Sequence, residues 1–218
     1  ENFGISISLS SDGTILAIGA KGINGSNYPG VGAAFVYQYN GSSWALLGSQ
    51  IDNPSGEISN EYFGYSVSLS SDGTILAVGA RGIHSTNENV GAVFVYQYNG
   101  SSWALLGSHI DNPVNVDNGE YFGRSVSLSS DGTILGTGAT GINGIDWGDV
   151  GAVFVYSLSE NSLHATKNLK ITDNIKHDNA FYTDNTIELL TNTSGTMVTT
   201  NNQSAVKHHV YTANPSNK

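Results

Sequence analysis

The sequence predicts an all-β fold that is built from repeated antiparallel units. A stretch that begins with Phe-Gly recurs almost unchanged from Phe3, Phe63 and Phe122, so the period is 60 and then 59 residues. Within this stretch apolar residues alternate with serine, which is the pattern of a strand with one buried face. No segment shows a sustained helical period, and we therefore expect very little helix.

The first unit contains two hairpins. Residues 3–9 and 14–18 predict strands that are joined by Ser-Ser-Asp-Gly at residues 10–13, a turn in which Asp bonds its own backbone and Gly accepts a positive φ. A loop rich in Gly and Asn follows at residues 21–32. Residues 33–39 and 44–51 predict the second hairpin, because Asn-Gly between them is a strong turn signal.

The second unit is intact, whereas the third and the fourth have lost part of the repeat. The second copies the first, whereas the third has Leu163 where Trp103 would recur and a degenerate fourth strand. Phe181 lies 59 residues after Phe122, which favours an eroded fourth unit over an unrelated β-rich tail. We expect one domain over residues 1–218, with units at residues 3–60, 63–119, 122–176 and 181–211.

Four antiparallel strands in 59–60 residues match the size of a β-propeller blade with one long loop. The predicted fold is therefore a β-propeller-like array of four-stranded antiparallel blades, with three clear repeats and a degenerate fourth. A solenoid of sheets is the alternative. The array is either a small closed propeller, an arc of a larger one, or a subunit whose open strand edges pair with neighbouring chains.

Composition excludes several function classes. The net charge is −10 and the eight basic residues are scattered, so the charge disfavours nucleic acid and anionic membrane surfaces as partners. The absence of cysteine excludes disulfides and thiolate metal sites. No apolar run has the length of a membrane-spanning helix. The chain begins at Glu1 without a visible signal peptide, and we expect a processed or excerpted chain.

Three motifs in fixed order carry a family resemblance. Phe-Gly-x-Ser-Val-x-Leu, Asp-Gly-x-x-Leu-Ala-Val-Gly-Ala and Gly-Ala-Val-Phe-Val-Tyr resemble the FG-GAP repeat, which builds the propeller of integrin α-chains and of many secreted or surface proteins. The resemblance covers residues 3–156 well and 157–211 poorly. It implies an integrin α-like propeller and an extracellular or cell-surface location. The Pro of the family's Gly-Ala-Pro is replaced by Lys21, Arg81 and Thr140.

Despite the resemblance, we do not expect this chain to bind a metal or a cofactor. Integrin-type repeats often hold calcium in loops with several Asp or Asn, whereas the turns here each offer one carboxylate, from Asp12, Asp72 and Asp131. Calcium prefers about six to eight oxygen ligands, so we interpret these residues as turn formers and expect no metal or cofactor. The less favoured alternative is a cation held by the acidic loops around Asp117, Glu120, Asp146 and Asp149.

The candidate contact residues are few. Trp147, with Asp146 and Asp149 beside it in a long variable loop, is a candidate ligand contact. Trp44 and Trp103 are interpreted as packing residues, with sugar stacking as the alternative. His208 and His209 are adjacent on a predicted strand, so they point to opposite faces and chelate poorly. Five sequons are candidate glycosylation sites, with the first two favoured: Asn40, Asn99, Asn24, Asn192 and Asn202.

The function expected from these observations is a non-enzymatic extracellular or surface scaffold for protein–protein adhesion or assembly, in an oligomeric or fibrous structure. Its expected partners are proteins or other copies of the chain at blade edges, with no membrane insertion. A carbohydrate-binding, lectin-like propeller is the alternative. A hydrolase is the least supported class, because no nucleophile elbow or phosphate-binding Gly loop is present.

Overall fold

The computed structural model describes residues 1–56, 58–84, 89–113, 119–142 and 151–158, together with the backbone of two strands at residues 168–172 and 186–190. Within these ranges every strand belongs to one of three antiparallel sheets, and there is no helix. The all-β prediction is therefore confirmed. In the part of the chain that is described, no helix is long and apolar enough to span a membrane.

The strands follow the repeat. The first sheet contains β1 (Phe3–Leu9), β2 (Ile15–Ala20), β3 (Ala33–Tyr39), β4 (Trp44–Leu46) and β5 (Ile51–Asp52). The second contains β6 (Phe63–Leu69), β7 (Ile75–Ala80), β8 (Ala92–Tyr98), β9 (Trp103–Leu105) and β10 (Ile110–Asp111). The third contains β11 (Ser125–Leu128), β12 (Ile134–Ala139), β13 (Ala152–Ser157), β14 (Asn168–Thr172) and β15 (Thr186–Leu190).

Each of the first two sheets has one more short strand than expected. In the first sheet the order is β1-β2-β3-β4, and β5 also pairs with β3. The prediction of one unbroken strand over residues 44–51 is wrong, because Gly48 adopts a φ of 82° and turns the chain between β4 and β5. Both pieces then bond to β3, through the pairs Tyr37–Leu46 and Ala34–Ile51.

The third sheet has the order β11-β12-β13-β14-β15. Its fourth place is taken by β14, which follows the degenerate segment identified in the sequence. β15 lies within the predicted fourth unit and pairs with β14 along its five residues. The other residues of that unit lie outside the described residues, so the fourth unit stays a prediction.

Successive sheets contact each other through their innermost strands. The hydroxyl oxygens of Ser6 and Ser8 on β1 accept hydrogen bonds from the amides of Val67 and Leu69 on β6, at 3.0 and 2.9 Å. Ser68 on β6 accepts in the same way from Leu128 on β11, at 2.9 Å. The serine side of these strands therefore contacts the next sheet, and β6 is covered on both faces because its apolar side packs on the first sheet.

The glycines of the repeat lie where the sheets come closest. A Cβ on Gly19 of β2 would lie 2.0 Å from the carbonyl oxygen of Gly64 on β6, and one on Gly79 would lie 2.0 Å from that of Gly123. Gly64 also has a φ of 78°, a conformation that side chains rarely allow. The Gly of Gly-Ala and the Gly of Phe-Gly are thus the contact between neighbouring sheets.

Two apolar cores lie between the three sheets. We call the side of a sheet that contacts the next sheet its forward face, and the opposite side its rear face. The first core joins the forward face of the first sheet (Ile15, Ala17, Ala34, Val36, Ile51) to the rear face of the second (Phe63, Val67, Leu69, Val78, Phe94). The second core joins the forward face of the second sheet (Ala77, Val93, Val95) to the rear face of the third (Phe122, Leu135, Phe154, Tyr156).

Candidate functional site

Cations and tyrosine rings alternate along the end of the sheets from which the long loops leave. Arg81, directly after β7, lies over three rings, with its guanidinium carbon 4.9, 4.6 and 5.0 Å from the centroids of Tyr62, Tyr65 and Tyr121. Lys21 after β2 approaches Tyr65 to 4.9 Å, and Arg124 approaches it to 5.9 Å. We call these residues the tyrosine–arginine surface: Lys21, Tyr62, Tyr65, Arg81, Tyr121 and Arg124.

Repetition places these groups together. Lys21 and Arg81 each follow a second strand, and Tyr62 and Tyr121 each precede the Phe of an innermost strand. Because neighbouring sheets meet at these positions, a cation from one repeat lies on the tyrosines of the next. A cation over an aromatic face is attracted by about 0.5–2 kcal/mol, so the surface is held in place before any partner arrives.

Two of the tyrosines have strained backbones. Tyr62 and Tyr121 have φ values of 55° and 54°, in the left-handed region that bulky residues seldom adopt. The amide of Tyr62 donates to the carbonyl of Gly30 at 2.9 Å, and that of Tyr121 donates to Asn89 at 3.0 Å. Left-handed geometry costs roughly 1–2 kcal/mol per residue, and here it directs each ring towards Arg81.

Arg81 keeps an unused donor. Its Nε is buried and has no hydrogen-bond acceptor in the described part of the chain. Stacking on the rings uses the flat faces of the guanidinium and leaves its N–H groups in plane. An unpaired buried donor costs about 1–3 kcal/mol, so the stacking on three rings is what holds the guanidinium in this position.

The sequence reasoning did not find this surface. It noted Lys21, Arg81 and Thr140 only as replacements for a family proline. The available signal was the repeat itself, since a basic residue recurs after the second strand and a tyrosine recurs before Phe-Gly. What the sequence does not contain is the distance between neighbouring repeats, which makes the two positions touch.

Two buried carboxylates directly precede Tyr62 and Tyr121 in the chain. The side chain of Glu61 is 1% exposed and accepts a short hydrogen bond from the Nδ2 of Asn53. Burial raises the pKa of the Glu61 carboxyl to about 7, and the bond from Asn53 offsets part of that effect. Glu120 is fully buried in the matching place, and the Nδ2 of Asn112 donates to it at 2.6 Å.

A polar pocket of about 490 Å³ opens between the loop after β2 and the segment around β5. Asn24, Gln50 and Asp52 supply side-chain polar groups to its lining. Gln50 donates to Asp52 at 2.6 Å, and the Oδ1 of Asn24 accepts from the amide of Gly30 at 3.0 Å. Each of these three side chains already has a hydrogen-bond partner within the chain, so the pocket is a weaker candidate for a ligand site than Arg81.

The repeated aspartates serve the turns, as interpreted from the sequence. Asp12 accepts from the hydroxyl of Ser10 at 2.6 Å and from the amide and hydroxyl of Thr14 at 2.9 Å. The same bonds from Ser129 and Thr133 lower the pKa of the Asp131 carboxyl to about 2. Across the described residues, no three His, Asp or Glu side chains are grouped closely enough to hold a metal ion.

The two strand tryptophans pack against neighbouring rings. The Nε1 of Trp103 donates to the carbonyl of Leu47 in the first sheet at 3.0 Å, and its ring lies 5.3 Å from Tyr98. Trp44 packs on the matching tyrosine of the first sheet, Tyr39, at 5.4 Å between ring centroids, but Trp44 is 43% exposed. Trp103 thus connects two sheets, as its packing interpretation requires, whereas Trp44 has no preceding sheet to contact among the described residues.

The sequon asparagines that are described are exposed. Asn40 and Asn99 lie in the tight turns after β3 and β8, where the Oδ1 of each accepts two backbone amides. Asn24 is exposed at the pocket rim. Asn192 and Asn202 lie outside the described residues, and glycosylation of all five stays a prediction.

Several other predicted residues cannot be placed. Trp147, Asp146, Asp149, Asp117, His208 and His209 lie outside the described residues. The lectin-like alternative, which drew on Trp147 and on sugar stacking by Trp44 or Trp103, stays a prediction, as does a cation in the acidic loops. Of the described histidines, His109 lies 2.9 Å from Asp111 and packs on Phe94.

Comparison with known proteins supports the repeat assignment. Residues 54–96 match the model of the FG-GAP repeat, and they span β6, β7 and most of β8. A solved structure, the β-propeller domain of Cps50 (Swd1) from Myceliophteria thermophila, is 11% identical with a TM-score of 0.32, and the match covers 79% of this chain and 80% of that one. No curated protein matches the chain. The chain therefore contains an FG-GAP repeat, in its second sheet.

Proposed function

We propose that this chain is a non-enzymatic protein-interaction scaffold of extracellular or surface location, and that it binds a protein partner through the tyrosine–arginine surface. The observation that carries the proposal is Arg81, held by three tyrosine rings with an unpaired Nε. Proteins that contain FG-GAP repeats are generally non-enzymatic and typically extracellular or at the cell surface, which supports this class and location.

The composition of the surface favours protein binding. Tyrosine and arginine are enriched among the residues that contribute most to protein–protein affinity, because both offer a large apolar area together with hydrogen-bond donors. Here three of each kind of group, cationic and aromatic, lie side by side on an otherwise acidic chain of net charge −10. The rings and the guanidinium are already ordered, so little conformational entropy is lost on binding.

The same chemistry specifies the partner. Three cations within one surface attract carboxylates, and the in-plane N–H groups of an arginine match a carboxylate in two-point geometry. The partner segment is therefore acidic, with an aromatic or aliphatic residue that packs between the tyrosines. Adhesion and assembly are the settings in which such a scaffold acts.

A random peptide display library tests the proposal. Peptides that bind the immobilised full chain should be enriched in Asp and Glu, and their affinity should fall at least about tenfold in Arg81→Gln, which keeps a polar side chain but removes the charge. Arg124→Gln, at the periphery of the surface, should lose less. The matched control is His109→Gln, which lies directly before β10 and outside the tyrosine–arginine surface, and it should bind as the wild type does.

Two results would overturn the proposal. One is a library from which no acidic peptide is enriched. The other is a set of enriched peptides that bind Arg81→Gln as tightly as the wild type. Circular dichroism of each variant checks that the sheets are intact, so that lost affinity is not lost folding.

A further inference from the structure

His84, in the loop that follows β7, is bonded to the backbone that positions one tyrosine of the tyrosine–arginine surface. We propose that His84 makes this surface sensitive to pH: as a neutral ring it fixes Asn89 and, through it, Tyr121, and in acid its protonation releases both. The effect on binding rests on the proposed function. The change within the chain does not, because it is measured without a partner.

The first repeat shows how an asparagine fixes the corresponding loop. Asn24 lies three residues after Lys21, and its Oδ1 accepts a hydrogen bond from the amide of Gly30 at 3.0 Å. The carbonyl of Gly30 in turn accepts from the amide of Tyr62 at 2.9 Å. A Cβ on Gly30 would lie 3.1 Å from the Tyr62 ring, so the end of the loop packs on that ring. The Asn24 side chain therefore anchors the backbone against which Tyr62 is placed.

The second repeat has a histidine in the same position. His84 lies three residues after Arg81, and its Nδ1 accepts a hydrogen bond from the amide of Asn89 at 3.4 Å. The carbonyl of Asn89 accepts from the amide of Tyr121 at 3.0 Å, and the Tyr121 ring centroid lies 5.0 Å from the guanidinium carbon of Arg81. Two hydrogen bonds therefore connect the imidazole to the backbone of a tyrosine that contacts Arg81.

The backbone at Asn89 depends on this anchor more than the backbone at Gly30 does. Both residues are left-handed, with φ values of 55° and 68°. Glycine adopts this conformation freely, whereas asparagine adopts it at some cost. Tyr121 has a φ of 54°, so two strained residues are joined by one hydrogen bond. Loss of the contact with His84 therefore acts where the backbone is already strained.

Protonation removes the acceptor. A neutral imidazole has one ring nitrogen that accepts, whereas in the imidazolium both nitrogens carry a proton and can only donate. The contact with Asn89 assigns the free lone pair to Nδ1, so the added proton would lie between two donors and would break this long bond. Histidine gains its second proton between about pH 8 and pH 5. The carboxamide oxygen of Asn24 accepts throughout that range, so the first loop does not respond.

Other charged groups near this loop must be separated from His84. They are Glu61, Arg81, Glu88, Asp111 and Glu120. The carbonyl of Glu61 accepts the amide of Gly82 at 3.0 Å, and burial raises the pKa of the Glu61 carboxyl to about 7. Asp111 pairs with Ala92 at the end of the loop, and Glu88 lies outside the described residues. Within the described part of the chain His84 forms no ion pair.

The change within the chain is tested first, by nuclear magnetic resonance of the full chain without a partner between about pH 8 and pH 5. The amide resonances of Asn89 and Tyr121 should shift with the midpoint of the His84 ring resonances. They should stay in place in His84→Asn, which keeps an acceptor at every pH as Asn24 does. In His84→Ala they should lie near their acidic wild-type positions at every pH, because the acceptor is absent.

The controls each remove another group that could titrate in this range: Glu61→Gln, Glu88→Gln and His109→Gln. All three should keep the shift at Tyr121. When the Glu61 carboxyl has been removed, the amides of Gly30 and Tyr62 should not follow the titration of His84, because Asn24 anchors the first loop.

The consequence for binding is tested with an acidic peptide that the display library enriches on the wild type at neutral pH. Its affinity for the wild type should fall at least about fivefold between about pH 7.5 and pH 5.5, because Tyr121 and Arg81 are no longer held together. Asp and Glu of the peptide stay ionised in this range, since their usual pKa values are about 3.9 and 4.3. The affinity for His84→Asn should change less than about twofold. His84→Ala should bind weakly at both pH values.

Three results would overturn the inference. The first is a Tyr121 amide that does not shift in the wild type. The second is a shift that persists in His84→Asn, which would assign the titration to Glu120. The third is a peptide affinity with the same pH dependence in the wild type and in His84→Asn.

The two proposals fail in different ways. If no acidic peptide binds the chain, the proposed function fails, while the amide resonance of Tyr121 still decides whether His84 fixes this backbone. Circular dichroism of each variant at both pH values checks that the sheets are intact.

Discussion

Two tyrosine hydroxyl groups are buried in the cores without a hydrogen-bond partner in the described residues, those of Tyr96 and Tyr156. Burial raises the pKa of both phenols well above the usual range, and nearby carboxylates add to the effect, so both hydroxyls stay neutral. A buried polar group without a partner costs about 1–3 kcal/mol. The ring of Tyr96 nevertheless packs edge-on against Phe63, 6.3 Å between centroids.

Removing one hydroxyl should therefore stabilise the protein. Tyr96→Phe keeps the ring contact and should raise the free energy of unfolding by about 1 kcal/mol, measured by urea denaturation. Tyr37→Phe, at the half-buried matching position in the first sheet, should change it far less. A loss of stability in Tyr96→Phe would mean that the hydroxyl has a partner in solution.

Glu61 gives the stability a pH dependence. Its pKa is raised from 4.5 to about 7 by burial, so the folded chain keeps a proton that the unfolded chain releases. The contribution of Glu61 to the free energy of unfolding is therefore complete below pH 4.5, and it is lost as the pH rises to about 7. Glu61→Gln keeps an acceptor for Asn53 and removes the charge.

The comparison is urea denaturation of wild type and Glu61→Gln at the two ends of that range. The wild type should lose on the order of 2 kcal/mol relative to the variant between pH 4.5 and pH 8. Glu1→Gln, at the exposed first residue, is the control and should follow the wild type. Parallel pH profiles for wild type and Glu61→Gln would show that the carboxylate is solvated in the folded state.

At the scale of the strands, a glycine near the end of the second strand of a sheet sets how closely the next sheet can approach. A Cβ at Gly79 would lie 2.0 Å from the carbonyl oxygen of Gly123, and backbone cannot move aside as a side chain can. Gly79→Ala should therefore destabilise the protein by several kcal/mol, since it separates the second and third sheets. Thermal unfolding measures the loss.

Gly138→Ala is the matched comparison for this effect. Gly138 occupies the same place in the third sheet, where the nearest atom to a new Cβ is the Ser125 hydroxyl at 2.5 Å. That hydroxyl can rotate away, so the loss of stability should be much smaller than in Gly79→Ala. Equal losses would contradict the assignment of Gly79 to the contact between sheets.

The strands that could be predicted from the sequence are those whose signals lie within a few residues of one another. Alternation and Asn-Gly or Asp-Gly turns place the first three strands of each repeat, since those signals act within a few residues. The break at Gly48 was not predicted, because an apolar run reads as one strand until its glycine is known to have a positive φ. The serine contacts, such as Ser8 with Leu69, depend on a neighbour about sixty residues away.

The candidate site was likewise predictable only as far as local sequence patterns reach. The repeat contains the positions of Arg81 and Tyr121, but the sequence analysis did not connect them, because their contact requires the spacing of two sheets, which no local pattern encodes. The residue that sequence reasoning favoured, Trp147, was chosen for its place in a variable loop and lies outside the described residues. Long-range packing, more than local propensity, decides which repeated residues become a surface.

At the scale of the whole molecule, stability comes from sheets that cover one another, and a matched pair of phenylalanines measures this. Phe63 is fully buried between the first and second sheets, while Phe3 is 54% exposed on the uncovered rear face. Phe63→Ala should cost about 3–5 kcal/mol, because a cavity remains in a core made from two sheets. Phe3→Ala should cost less than about 1 kcal/mol when the chain is monomeric.

Urea denaturation of the two variants measures the difference. The cost at Phe3 should be the smaller one because its ring is already half exposed in the folded chain, so that its removal leaves no closed cavity between two sheets. Equal costs at the two positions would contradict the difference in burial between Phe3 and Phe63.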